Sequence, residues 1–286
     1  MNRLVALGCL LPSLAAAQPS TDIYLFDLQA KGNAVTLTRP RNVTPHAGYD
    51  NQPFFHPSRP LLFYSSAAAD GRTDLKSYNY RTSETRQLTA TPEREYSPTL
   101  TEDERFLSCI VQRDNGQQDL AKYPLAGGPP TLLIDNLKVG YHAWIDRSRL
   151  LVYVLAVPAN ELHYHDLATG RDTVVARNIG RSLKRIPHQS AISFLQQTPA
   201  GTWLIQRFDT KTRAITTLGP ALERSEDVAW TQNGLMLMSN GAGIFCCRPG
   251  QGWQPVAGPG PAPALCQASR LAVNPANNTL AVVMAE

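Results

Sequence analysis

Six apolar anchors, Phe55, Leu100, Trp144, Ile186, Trp230 and Val273, each stand just before a polar turn and recur at spacings of 45, 44, 42, 44 and 43 residues. A unit of this length holding four short strands cannot bury its hydrophobic face alone and reads as one blade of a β-propeller. The clearest copy runs from Asn51 to Thr89. Phe54-Phe55 is followed by the turn His56 to Pro60, the apolar run Leu61 to Tyr64, the turn Asp70-Gly71, the run Asp74 to Tyr80 and the short segment Arg86 to Thr89. The runs are rich in strand formers and the turns in Pro, Asp and Gly.

The same punctuation returns around Leu100, Trp144 and Trp230, and more weakly around Ile186 with Ile192 to Leu195, Pro199-Ala200-Gly201 and Trp203 to Ile205 as landmarks. No helical period follows the first 17 residues,. The last unit, Leu271 to Met284, supplies two strands only, and residues 21–38, with Asp22 to Leu28 and Val35 to Thr38, supply two more. Segments 21–38 and 268–286 therefore predict one split blade. Closing it removes the free sheet edges of an open array. The expected fold is all-β, a six-bladed propeller of four-stranded antiparallel blades forming a single domain over residues 18–286.

Residues 1–17 fit a secretory signal to be removed, with Arg3 before the apolar run Val5 to Leu14 and the small residues Ala15 to Ala17 before Gln18,. The apolar stretch ahead of Cys9 is too short for a lipoprotein signal. Export to the periplasm or beyond is expected. Removing Arg3 leaves 26 basic residues against 23 acidic ones, too even a balance to favour nucleic acid,. Cys109, Cys246, Cys247 and Cys266 remain, in a compartment where disulfides can form,. Cys246 and Cys247 alternate along a strand, so at most one faces Cys266; buried thiols and a single bridge both stay open.

Several motifs carry a resemblance. Asp22-Ile23-Tyr24, Asp74-Leu75 and Asp119-Leu120 open third strands, Pro53 to Pro57 reads Pro-x-Phe-x-Pro, and Ser65-Ser66 precede Asp70-Gly71 and Asp74. Together they resemble the TolB-like, WD-repeat-like propellers of exported bacterial proteins. The resemblance spans the chain after the signal and concerns blade turns and packing. TolB proteins carry an additional N-terminal domain; about four residues separate the signal from the first strand here, so a role residing in that domain is not carried over.

Function is expected where loops on the rigid scaffold meet the channel mouth. The residues opening each innermost strand are Tyr49 and Asp50, Glu95 and Tyr96, Tyr141 and His142, Lys184 and Arg185, Glu226 and Asp227, and Ser269 and Arg270. Their aromatic rings and charges of both signs suit a polar ligand such as a glycan or a peptide terminus. Trp144 and Trp230 are expected in the core. His163 and His165 share one strand face but align with packing positions of other units, so no metal is assigned, and no cofactor is expected. The chain lacks the Gly-x-Ser-x-Gly elbow, and the Ser-x-Asp-x-Gly-x-x-Trp turn of sialidases is absent,. No catalytic residue is named. The reading is a monomeric binding protein for another protein or an envelope component. The alternative is a carbohydrate-active hydrolase, lactonase or lyase using Asp50, Glu95, Glu226 or Asp227.

Overall fold

The computed structural model describes residues 19–258 and 267–286; the signal segment and Cys266 lie outside the described residues. The first strands are β1 (Thr21–Lys31) and β2 (Ala34–Asn42). Blade one is β3 (Asp50–Phe55), β4 (Leu61–Ala67), β5 (Thr73–Asn79) and β6 (Glu84–Gln87). Blade two is β7 (Arg94–Leu100), β8 (Phe106–Gln112), β9 (Gln118–Pro124) and β10 (Thr131–Ile134). Blade three is β11 (Val139–Trp144), β12 (Arg149–Val154), β13 (Glu161–Asp166) and β14 (Arg171–Arg177). Blade four is β15 (Ile179–Arg185), β16 (Ala191–Gln197), β17 (Trp203–Asp209) and β18 (Ile215–Pro220). Blade five is β19 (Val228–Trp230), β20 (Met236–Ser239), β21 (Ile244–Cys247) and β22 (Gln254–Pro255), and β23 (Arg270–Val273) and β24 (Thr279–Ala285) complete the set.

These strands form six antiparallel four-stranded sheets, and one of them has the order β2-β1-β24-β23. The split blade is thus closed by the N-terminal strands, with β1 and β24 paired from Thr21↔Ala285 to Asp27↔Thr279. Innermost strands touch around the axis: β23 meets β3, β3 meets β7, β11 meets β15, β15 meets β19 and β19 meets β23.

A strand sandwiched between two neighbouring blades is buried on both faces, so it reads as a near-continuous apolar run instead of an alternating one. β4 is buried along its centre, whereas the outer strand β6 is exposed throughout. Among the described residues six apolar clusters fill the blade junctions. Cys246 joins the cluster between blade five and the split blade, and Cys247 joins the one between blades four and five. Their opposite facing follows from strand alternation, and Cys109, Cys246 and Cys247 carry free thiols.

The acid that opens the third strand has a structural task. In blade one the Thr89 hydroxyl oxygen accepts the Leu75 backbone N–H at 2.8 Å and lies 3.5 Å from Asp74. In the split blade Thr44 does the same for Ile23 at 2.8 Å, and donates to Asp22 at 3.3 Å. Blade two uses a different solution, with Arg113 Nε donating to Asp119 at 2.9 Å. Thr89→Val should leave the buried Leu75 N–H without its acceptor and cost about 1–3 kcal/mol. An unchanged urea midpoint would refute this.

Candidate functional site

All innermost strands start at one face, to which the loops between second and third strands also return. At this face an upper chamber of about 620 Å³ is lined by Tyr49, Asn51, Gln52, Tyr96, Tyr141, Tyr153, Arg181, Ser269 and Arg270. A lower chamber of about 500 Å³ continues along the axis, with Phe54, Leu100, Trp144, Trp230, Leu271 and Val273 among its walls. Gln52, Tyr141, Arg181 and Arg270 line both chambers and form the waist between them.

Bulges decide which side chains reach the axis. Three steps from Asn51 to Phe54 face two on β4, three from Tyr96 to Thr99 face two on β8, and two from Val139 to Tyr141 face one on β12. On β15, four steps from Ile179 to Leu183 face two on β16. A surplus residue turns the following side chains onto a new heading. Gln52 and Ser97 sit at these bulges with φ of 59° and 56°. The Gln52 side-chain oxygen accepts the Ser97 N–H at 2.6 Å and the Ser65 hydroxyl at 3.0 Å, tying blades one and two together at the wall. Gly140 lets the Tyr153 ring lie against β11, since a Cβ there would stand 2.8 Å from the ring.

The sequence-derived positions separate into four groups. Tyr49, Tyr96, Tyr141 and Arg270 converge on the upper chamber, with Tyr49 edge-on to Tyr96 at 6.2 Å and Tyr141 edge-on to Tyr153 at 5.5 Å. Asp227 faces the lower chamber, where Lys184 Nζ lies 3.6 Å from it, and Glu226 stands at the exposed rim, 3.1 Å from Arg181 Nε. Asp50 and Glu95 are turned into blade junctions and have no exposed surface, while His142, paired with Ser108 of blade two, is buried in the wall of the lower chamber. Lys184 and Arg185 close β15 instead of opening it, and Arg185 reaches Glu102 at 3.0 Å by the lower mouth. The corresponding place at the upper mouth belongs to Arg181. Lys184 and Arg185 stand two and one residues before Ile186 and Arg181 five before it, and the two surplus residues of β15, against one each in β3, β7 and β11, set the heading of Arg181.

Electrostatics separate the channel from the junctions. Burial pushes the Glu95 carboxyl up to about 7, although Thr91 and Tyr123 donate to it, the Tyr123 hydroxyl at 3.0 Å. Burial likewise raises Asp50 to about 6. His142 is pushed down to about 3 by burial and stays neutral. Burial opposes the Arg270 charge, but Tyr141, Asp227 and Tyr49 outweigh it and shift the group upward.

His163 and His165 do share a face of β13. Asp172 on β14 takes His163 Nδ1 at 2.6 Å and His165 Nδ1 at 3.1 Å, and Glu161 meets His163 Nε2 at 3.1 Å. The Nδ1 atoms of both rings are engaged with one carboxylate, and no group of three His, Cys, Asp or Glu among the described residues is arranged to hold a metal ion. No helix among the described residues is long and apolar enough to cross a membrane.

The sequence matches no family profile and no curated protein. Solved structures match it in fold. A protein described as TolB from Agrobacterium tumefaciens superposes with a TM-score of 0.70 at 12% identity, over 94% of this chain and 99% of that one. TolB from Acinetobacter baumannii gives 0.60 at 11% identity, over 93% of this chain and 65% of that one. An oligogalacturonate lyase in complex with manganese gives 0.61 at 14% identity, over 88% of this chain and 83% of that one. The likeness at such identities is one of fold, and the fold is the six-bladed TolB-type propeller that the motifs implied.

Proposed function

We propose that this chain is an exported propeller that recognises another protein or an envelope component non-covalently through its loop-bearing channel face. The observation that carries this reading is the convergence of four tyrosines with Arg181 and Arg270 on one concave mouth. Tyr and Arg are the residues that most often anchor interfaces, because they bury large contact area and still offer directed donors. Leu155 lines the same mouth at 38% exposure, and Val157, two residues on in the same loop, is 98% exposed. Export rests on residues 1–17, and action as a monomer is part of the same reading.

A carbohydrate-active enzyme is the second reading, supported by the fold shared with the manganese-bound lyase. It has less to work with. Of the four carboxylates available to it, Asp50 and Glu95 are shut into blade junctions, and Asp227 faces a lysine across 3.6 Å. Turnover of oligogalacturonate with manganese present would favour it.

Cross-linked capture from an envelope extract tests the binding reading. Val157→Asp and Tyr96→Ala should each reduce capture about 30-fold, the loss of one interface anchor, with melting unchanged for the exposed Val157 site. Capture of every partner at wild-type level by both variants would overturn it.

A further inference from the structure

The waist of the channel has a charge imbalance. Arg181 pairs with Glu226 at 3.1 Å and Lys184 with Asp227 at 3.6 Å. Arg270 is left over. It is 8% exposed, it reaches no carboxylate within ion-pair distance among the described residues, and one of its amino groups donates to the Tyr141 hydroxyl at 2.8 Å. Tyr141 comes from blade three and Arg270 from the split blade, which are diametrically opposite in the ring. The contact therefore spans the axis, with the guanidinium also 5.2 Å from the tyrosine ring centre. A phenol satisfies one N–H of a group that offers five. Asp227 acts on the guanidinium only from beyond ion-pair distance, so the fork itself is open, and a planar carboxylate is the group whose two oxygens match it,.

The two chambers differ in character on either side of this point. Above it stand tyrosines, Asn51, Gln52 and Ser269 beside Ile110 and Leu155; below it Phe54, Leu100, Trp144, Trp230, Leu271 and Val273 line the wall, with the charges of Lys184, Asp227, Arg185 and Glu102 also on it. We propose that the waist binds the carboxylate of a ligand whose apolar body lies in the lower chamber. Arg270 forms the fork with the carboxylate, and the Tyr141 hydroxyl gives up its acceptor role and donates to the same group. This inference rests on the channel-face reading and names the chemistry the channel selects. A free apolar acid and the C-terminal carboxylate of a peptide ending in an apolar residue share that chemistry.

The test is calorimetric titration of the full chain, with tryptophan emission as second readout because Trp144 and Trp230 line the lower chamber. Hexanoate against hexanamide probes the free acid; N-acetyl-leucyl-leucine against its C-terminal amide probes the peptide terminus. At least one acid should bind about tenfold or more tighter than its amide, the worth of charge-assisted hydrogen bonds. Arg270→Gln should erase that preference, and Tyr141→Phe, which frees the guanidinium, should keep it. Arg270→Lys retains the charge but not the fork and should weaken the preference, and melting curves identify any variant that does not fold. No acid preference in either pair, or a preference undiminished in folded Arg270→Gln, overturns the inference. Mouth-dependent capture of a partner without any acid preference would defeat the carboxylate assignment alone, whereas an acid preference in a chain that captures nothing would uphold it and defeat the partner reading.

Discussion

Replacing Trp144 with alanine is expected to lower stability by about 3–5 kcal/mol, the cost of emptying a large buried site. Trp144 is 5% exposed at the end of β11 and packs with Ile110, Leu120, Leu150 and Val152 in the junction between blades two and three. Its indole N–H donates to the Ser108 hydroxyl at 2.9 Å, and that hydroxyl donates to the Thr99 carbonyl at 2.9 Å. Ser108 also meets His142 Nε2 at 2.7 Å. A serine hydroxyl has one proton, and with it on Thr99 the His142 ring must donate from Nε2 and keep Nδ1 unprotonated, which agrees with a ring that burial holds neutral,. Trp144→Ala removes the packing and one of the two donors to Ser108. Trp144→Phe keeps most of the packing, so its smaller loss, about 1–3 kcal/mol, isolates the donor. Trp230 repeats the device with Ser193 at 2.8 Å in the junction between blades four and five. The two sites share no partners, so their losses should add. Urea titrations at constant slope measure both, and a midpoint unmoved by Trp144→Ala would remove the tryptophan from the core.

The blade count was legible because turn chemistry and apolar anchors repeat at nearly constant spacing, and that spacing is a property of the chain itself. The split blade was legible for the same reason: Asp22-Ile23-Tyr24 carries a third-strand signature, and Leu271 to Met284 carry the first two strands of a unit. Side-chain heading at the mouth was not legible. Strand alternation assigns faces only while the ladder is regular, and a single bulge inverts the assignment. Asp50 and Glu95 lie five residues before their anchors and face a junction; Arg181 lies five before Ile186 and faces the channel, because β15 holds one surplus residue more. His163 and His165 were placed on a common face correctly, since β13 pairs regularly with β14 through both of them, although their partner Asp172 depends on a register no local signal encodes. The chambers, too, are made by residues from all around the ring, and the Arg270–Tyr141 contact joins positions 129 residues apart.

Glu95 should make the propeller less stable as pH rises. Its carboxyl is raised to about 7 in the folded chain, first by burial and further by the neighbouring Asp74, against an ordinary value near 4.3 when unfolded,. A raised carboxyl binds its proton more tightly in the fold, so its stabilising contribution is complete below about pH 4 and is lost as pH climbs through about 7. Asp50, raised to about 6, acts in the same direction. His142 opposes them: its ring, held down to about 3, favours the fold above the unfolded value near 6.5 and loses that contribution as pH falls,. Between about pH 4.5 and 6.5 the two effects partly cancel, so the wild-type profile alone does not isolate Glu95. Glu95→Gln does. The amide keeps an acceptor for Thr91 or Tyr123, carries no charge to desolvate, and does not titrate. The variant should match wild type near pH 4.5 and exceed it by about 2–3 kcal/mol at pH 8, with the gap opening across pH 5–7. Urea midpoints at pH 5 and pH 8 read this difference. Parallel curves for the two proteins would show that the junction between blades one and two holds Glu95 in its ordinary ionised state, with the three hydroxyls of Thr89, Thr91 and Tyr123 offsetting its burial.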